Sequence, residues 1–61
     1  PIYIDDEICF EGSAATWRVV EITRRSIWLQ SEDDGMMISR EMLAAKMTMG
    51  TAVIKMKFTN G

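Results

Sequence analysis

The residues in this chain that could do chemistry are few, and their pattern points away from catalysis. There is no histidine to act as a general base or metal ligand, and Cys9 is the one cysteine. A nucleophilic thiol needs a neighbouring base or cation to hold it as thiolate. With no imidazole available, Cys9 reads as a small apolar residue within a strand. A single cysteine also excludes an internal disulfide, and with no histidine there is no zinc set. Carboxylates occur in two runs, Asp5-Asp6-Glu7 and Glu32-Asp33-Asp34. A calcium or magnesium ion wants oxygens converging from set offsets, whereas consecutive acids point in different directions, so both runs read as solvated loops. No Walker-type glycine loop and no GxGxxG is present. A chain of about sixty residues also has little room for a substrate cleft beside its core. The expectation is a domain that is not an enzyme, with no catalytic residue, metal, cofactor or small-molecule substrate.

Cations and aromatics remain. If Trp17, Val19, Ile27 and Leu29 face inward, the same alternation turns Trp28 outward beside Arg18, with Arg24 and Arg25 on the adjoining turn. A tryptophan among arginines can stack on bases, bind an extended peptide or anchor a protein interface. Lys55 and Lys57, on the wet face of the last strand, could contact phosphates. The candidate binding residues are therefore Arg18, Arg24, Arg25, Trp28, Lys55 and Lys57. The plainer alternative puts Trp28 under a helix or over an open barrel end, with the lysines serving solubility and edge protection. A register slip of one residue would decide between these.

These residues need a scaffold, and the chain supplies mostly strand. Ile2–Phe10 reads as a first strand region, with Ile8 and Phe10 on one face and Cys9 on the other. Residues 11–16 form a turn in which Gly12 is free to take positive φ. Trp17–Thr23 is a second strand, Trp17 and Val19 facing one way, Arg18 and Val20 the other. Thr23-Arg24-Arg25-Ser26 is a hairpin connection without glycine. Ile27–Ser31 is the third strand, and the turn after it is assigned to Glu32-Asp33-Asp34-Gly35, where Asp-Gly supplies a left-handed position. Met36–Ile38 is a short fourth strand. Ser39 then offers an N-cap, Glu41 a first-turn acid and Gly50 a stop, for one helix over residues 40–48. Thr51–Thr59 closes the chain as a fifth strand.

Short strands at spacings near ten residues predict a mainly β fold, a small SH3-like five-stranded barrel with one short helix before the last strand. Residues 1–61 make one domain, with a core of Ile8, Phe10, Trp17, Val19, Ile27, Leu29, Leu43, Ile54, Met56 and Phe58. Of the six methionines, Met47 and Met56 read as core and Met36 and Met49 as exposed; together they also suit an adaptable contact surface. Net charge is −2, against a strongly basic nucleic-acid binder. Its distribution is uneven: residues 1–34 hold eight acids and three bases, residues 35–61 one acid and four bases. No apolar run approaches the roughly 20 residues needed to span a bilayer, and no signal-peptide pattern opens the chain. A cytoplasmic location is expected. Pro1 fits either loss of an initiator methionine or a trimmed chain.

The strings Ile4-Asp5-Asp6-Glu7-Ile8-Cys9-Phe10-Glu11-Gly12, Trp17-Arg18-Val19-Val20-Glu21-Ile22 and Ile27-Trp28-Leu29-Gln30, followed by Ser39–Gly50 with Leu43 in the helix, carry a family likeness. Across about residues 4–54 they resemble the small barrel-like module at the N-terminus of DDE transposases of the Mu and cut-and-paste type. The resemblance implies a non-catalytic accessory domain in a mobile-element or phage DNA-recombination system, contacting DNA or a partner subunit. The catalytic carboxylates of such enzymes belong to a separate domain, and Asp5, Asp6 and Glu7 do not correspond to them. The acidic net charge departs from a DNA-gripping module and favours protein contacts, so a protein-interaction domain, a phage-encoded modulator or a homodimer stands as the alternative.

Overall fold

A computed structural model describes residues 2–56. Five strands and one helix follow in the order β1 (Glu7–Phe10), β2 (Thr16–Ile22), β3 (Ser26–Gln30), β4 (Gly35–Ser39), α1 (Arg40–Met49) and β5 (Ala52–Met56). All strands are antiparallel in one sheet of order β4-β3-β2-β1-β5. The mainly β expectation and the helix before the last strand are both observed. The sheet is not closed into a barrel: β4 and β5 are its two edges, and α1 packs against both. A helix is about 10 Å across where a strand takes under 5 Å, which keeps the edges from pairing.

Period-2 alternation decides which face is buried. Ile8, Val19, Ile27 and Leu29 point to the helix side, where Leu43 and Ala52 complete the buried core. Phe10, Trp17, Ile22, Met36, Ile38, Met47 and Ile54 pack around it, half-buried. The opposite face has no covering element among the described residues and carries Arg18, Trp28, Gln30 and Met37.

The hairpins are closed by hydroxyls rather than by glycine. At the β2–β3 turn the Thr23 N–H donates to the Ser26 carbonyl (2.8 Å), and the Ser26 N–H donates to Thr23 Oγ1 (3.0 Å). Ser31 repeats this at the β3–β4 turn, its N–H donating to the Asp34 carbonyl (2.8 Å) and its Oγ accepting from the Asp34 N–H (3.1 Å). Such local side-chain bonds replace a primed turn. The Asp-Gly turn expected at Asp34-Gly35 is thus displaced: Gly35 is the first residue of β4 and has no positive φ. Gly12 does take φ 82.

α1 is bounded as its residues predict. Ser39 Oγ accepts from the Met42 N–H (3.0 Å). At the other end Gly50, at φ 82, turns its N–H back to the Lys46 and Met47 carbonyls. The helix ends one residue later than expected, at Met49.

Several expectations fail for identifiable reasons. Ile2–Asp6 is not strand, because the chain turns there with Asp5 at φ 75. Nor is the first acidic run a solvated loop: Asp6 is fully buried. Its Oδ2 accepts from the Tyr3 N–H (2.9 Å), its N–H donates to the Tyr3 carbonyl, and its own carbonyl accepts from the Val19 N–H (2.9 Å). A buried carboxylate with its hydrogen bonds made ties the N-terminal loop to β2. Met56 is 61% exposed rather than core. The register shift between Glu7 and Ile8 sets Met56 opposite Glu7 while Ile54 faces Ile8, so Lys55 is the extra residue and Met56 leaves the buried face. Met36 is half-buried against the core rather than exposed, whereas Met49 is exposed and Met47 packs on the core. Phe58, expected in the core, lies outside the described residues.

Leu43 is the single helix residue fully buried. Truncating it to alanine is expected to cost about 2–5 kcal/mol, enough to unfold most of a domain this small. Urea denaturation followed by circular dichroism measures this, with exposed Met49→Ala as the near-neutral comparison.

Candidate functional site

Three arginines meet at one end of the sheet. Arg24 and Arg25 occupy the centre of the β2–β3 turn, and both are exposed. The β3–β4 register runs without interruption from Gln30–Gly35 to Ser26–Ser39, so the next residue, Arg40, falls beside Arg25. Its N–H donates to the Arg25 carbonyl (2.9 Å), and its guanidinium reaches the Thr23 carbonyl at 3.4 Å. Arg40 was not among the residues singled out from sequence. The usable signal was the Ser39 cap, which makes Arg40 the first helical residue and fixes it at the hairpin tip.

This placement runs against the helix dipole. The N-terminal turn carries a partial positive charge that favours anions, yet Arg40 opens the helix and only Glu41 follows the usual rule. The helix dipole and three guanidinium groups therefore carry one sign of charge at this end, moderated by Glu41.

The opposite end is acidic. Glu11 lies in the β1–β2 turn and Glu32, Asp33 and Asp34 at the β3–β4 turn, all exposed. The five residues of β3 separate the ends by about 17 Å, roughly twice the Debye length at physiological salt. The basic end thus acts independently of the net charge of −2.

The remaining predicted residues do not join the arginine cluster. Trp28 is 43% exposed on the uncovered face, as its alternation requires. Its register partners are Glu21 and Met37; a bulge between Val19 and Glu21 puts Glu21 where unbroken register would set Val20, and Arg18 stands two residues along the ladder, opposite Gln30. Arg18 faces Gln30 and stands 3.9 Å from Asp5 in an exposed ion pair, an interaction of small worth. Lys55 reaches Thr16 Oγ1 at 3.5 Å, on the patch that also holds Cys9. Lys57 lies outside the described residues. Two surfaces result: an arginine end built from Arg24, Arg25 and Arg40, and a sheet face centred on Trp28 and Met37.

An apolar groove of about 410 Å³ opens between α1 and the sheet next to the arginine end. Ile22, Ile27, Ile54, Leu43 and Met47 line it together with Arg40. Among the described residues no group of three or more Asp, Glu, Cys or His side chains could hold a metal ion. No helix among them is long and apolar enough to cross a membrane. No protein-family model, curated protein or solved structure matches the chain.

Removing the Ser39 cap with Ser39→Ala is expected to cost about 1 kcal/mol and to loosen Arg40 from the hairpin. Thermal unfolding reads the first effect. The second appears as faster exchange of the Arg40 amide relative to Leu29.

Proposed function

We propose that this chain is a non-catalytic interaction module whose arginine end contacts the phosphate backbone of nucleic acid. The observation that carries this reading is the convergence of Arg24, Arg25 and Arg40 at the N-terminus of α1. A cation opening a helix has an electrostatic cost in isolation, and a bound phosphate relieves it through charge-assisted hydrogen bonds from the guanidinium groups. The resemblance of residues 4–54 to transposase N-terminal modules supplies the setting, an accessory domain of a DNA transposition or recombination system. Within that setting the open sheet corresponds to an SH3-like barrel that α1 keeps from closing.

Three arginine contacts define what should be measured. Fluorescence anisotropy of a labelled duplex is expected to show weak binding with a log–log salt slope of about −2 to −3, since each neutralised phosphate contributes about −0.9. Arg24→Ala with Arg25→Ala should flatten the slope by about 2 while leaving the circular dichroism unchanged. Absence of salt-sensitive binding at high micromolar protein removes the nucleic-acid reading.

A second reading, a protein partner of the same assembly, draws on the uncovered Trp28–Met37 pair and the apolar groove beside Arg40. Buried aromatic anchors dominate such interfaces. The reading predicts that Trp28→Ala abolishes partner capture and leaves any DNA binding intact.

A further inference from the structure

The two edges of the sheet are not alike. β5 carries Lys55 and a register irregularity against β1, both of which discourage another strand from adding to it. β4 has neither. Its five residues, Gly35-Met36-Met37-Ile38-Ser39, are uncharged, contain no proline and pair with β3 in unbroken register. Such an edge is a template for a further strand.

Its hydrogen-bonding groups can be assigned from the two ends. The Asp34 carbonyl and the Arg40 N–H both point to β3. Backbone direction alternates along an antiparallel strand, so Met36 and Ile38 also bond inward to β3, while Gly35, Met37 and Ser39 turn their backbone groups outward. Met37 is 56% exposed, beside Trp28 on the uncovered face.

From this edge we propose that the chain self-associates through β4, pairing antiparallel with a second copy across a two-fold axis at Met37. One register places every outward group in a hydrogen-bonded pair: Met37 opposite the partner's Met37, and Gly35 opposite the partner's Ser39. Because the Ser39 carbonyl opens the helix, about four inter-chain hydrogen bonds result. The same register sets Asp34 opposite the partner's Arg40 on both sides of the axis, where an ion pair forms once the Arg40 guanidinium leaves its 3.4 Å contact with the Thr23 carbonyl. That complementarity follows from the charge polarity of the molecule. β4 begins at the acidic turn and ends at the arginines, so reversing one copy brings unlike charges together. It also selects a second copy over an unrelated strand. The two Trp28–Met37 pairs form one continuous apolar stripe across the joint, and Arg24 and Arg25, one strand further in, stay open. The inference stands whether or not the chain binds nucleic acid.

A five-residue edge is about 17 Å long and buries less than a standard interface, so the dimer is weak. Sedimentation equilibrium of the full chain from about 10 μM to 1 mM should show the average mass rising toward twice the monomer's. Met37→Lys places two lysines at the axis and should weaken association at least about tenfold. Val53→Lys, on the other edge, should not. Asp34→Arg should weaken it about three- to tenfold, and Asp34→Arg with Arg40→Glu should restore it, since the ion pair is rebuilt with its signs exchanged. In the wild type, protection of the Met37 and Ser39 amides should rise with concentration, a reading that does not depend on any variant folding. A chain monomeric at about 1 mM overturns the proposal. So does a dimer indifferent to Met37→Lys, or one whose Met37 amide exchanges equally fast at all concentrations.

Discussion

Ser39 holds two positions at once at the corner where β4 becomes α1. Its backbone stands opposite Ser26 as the last residue of the sheet, and its hydroxyl takes the Met42 amide as the first capping contact of the helix. Directly after it, the Arg40 N–H bonds to the Arg25 carbonyl. This corner fixes where the helix begins, and a helix of ten residues has little freedom once its first turn is set. Leu43 then enters the core three residues on, Met47 follows on the same face, and Gly50 returns the chain to the sheet to place β5 beside β1. A one-sided sheet with five buried apolar residues among those described cannot be stable without that cover.

The same corner creates the arginine end. Arg24 and Arg25 alone form an exposed hairpin tip; Arg40 joins them only because the cap holds the helix start against the turn. Charge in the folded chain is consequently sorted by the ends of the sheet. The first half of the sequence contributes the acidic turn and two of the three arginines, and the second half contributes Arg40. A molecule with net charge −2 can thus offer a cationic surface, because the two ends lie further apart than screening reaches at physiological salt.

Much of this was legible in the residues. Alternation in Ile27-Trp28-Leu29 and Trp17-Arg18-Val19 located the buried face and the exposed tryptophan, and the Ser39, Glu41 and Gly50 signals bounded the helix nearly to the residue. What escaped lay in register and in polar side chains. The bulge between Val19 and Glu21 sets Glu21 rather than Val20 opposite Trp28, and the one at Glu7 carries Met56 off the core face; periodicity assumes unbroken pairing and has no term for either. Asp6 is buried because its carboxylate closes a turn on the Tyr3 amide, a hydrogen bond that an acidic run does not advertise. Arg40 was missed because the Ser39 cap marks where the helix starts, but not that this start meets the Arg24–Arg25 hairpin tip. Closure of the sheet was expected on the ground that edges are costly, but α1 runs between the two edges and leaves the sheet open.

The central claim is that the β4–α1 corner gathers Arg24, Arg25 and Arg40 into one phosphate-contacting surface. Chemical-shift mapping on the 15N-labelled chain with a short DNA duplex tests it most directly. The largest changes are expected on the backbone amides of residues 24–25 and 40–42 and on the three guanidinium groups, collapsing in raised salt. Changes centred on Trp28 and Met37, or spread over the acidic turn at residues 32–34, would contradict it.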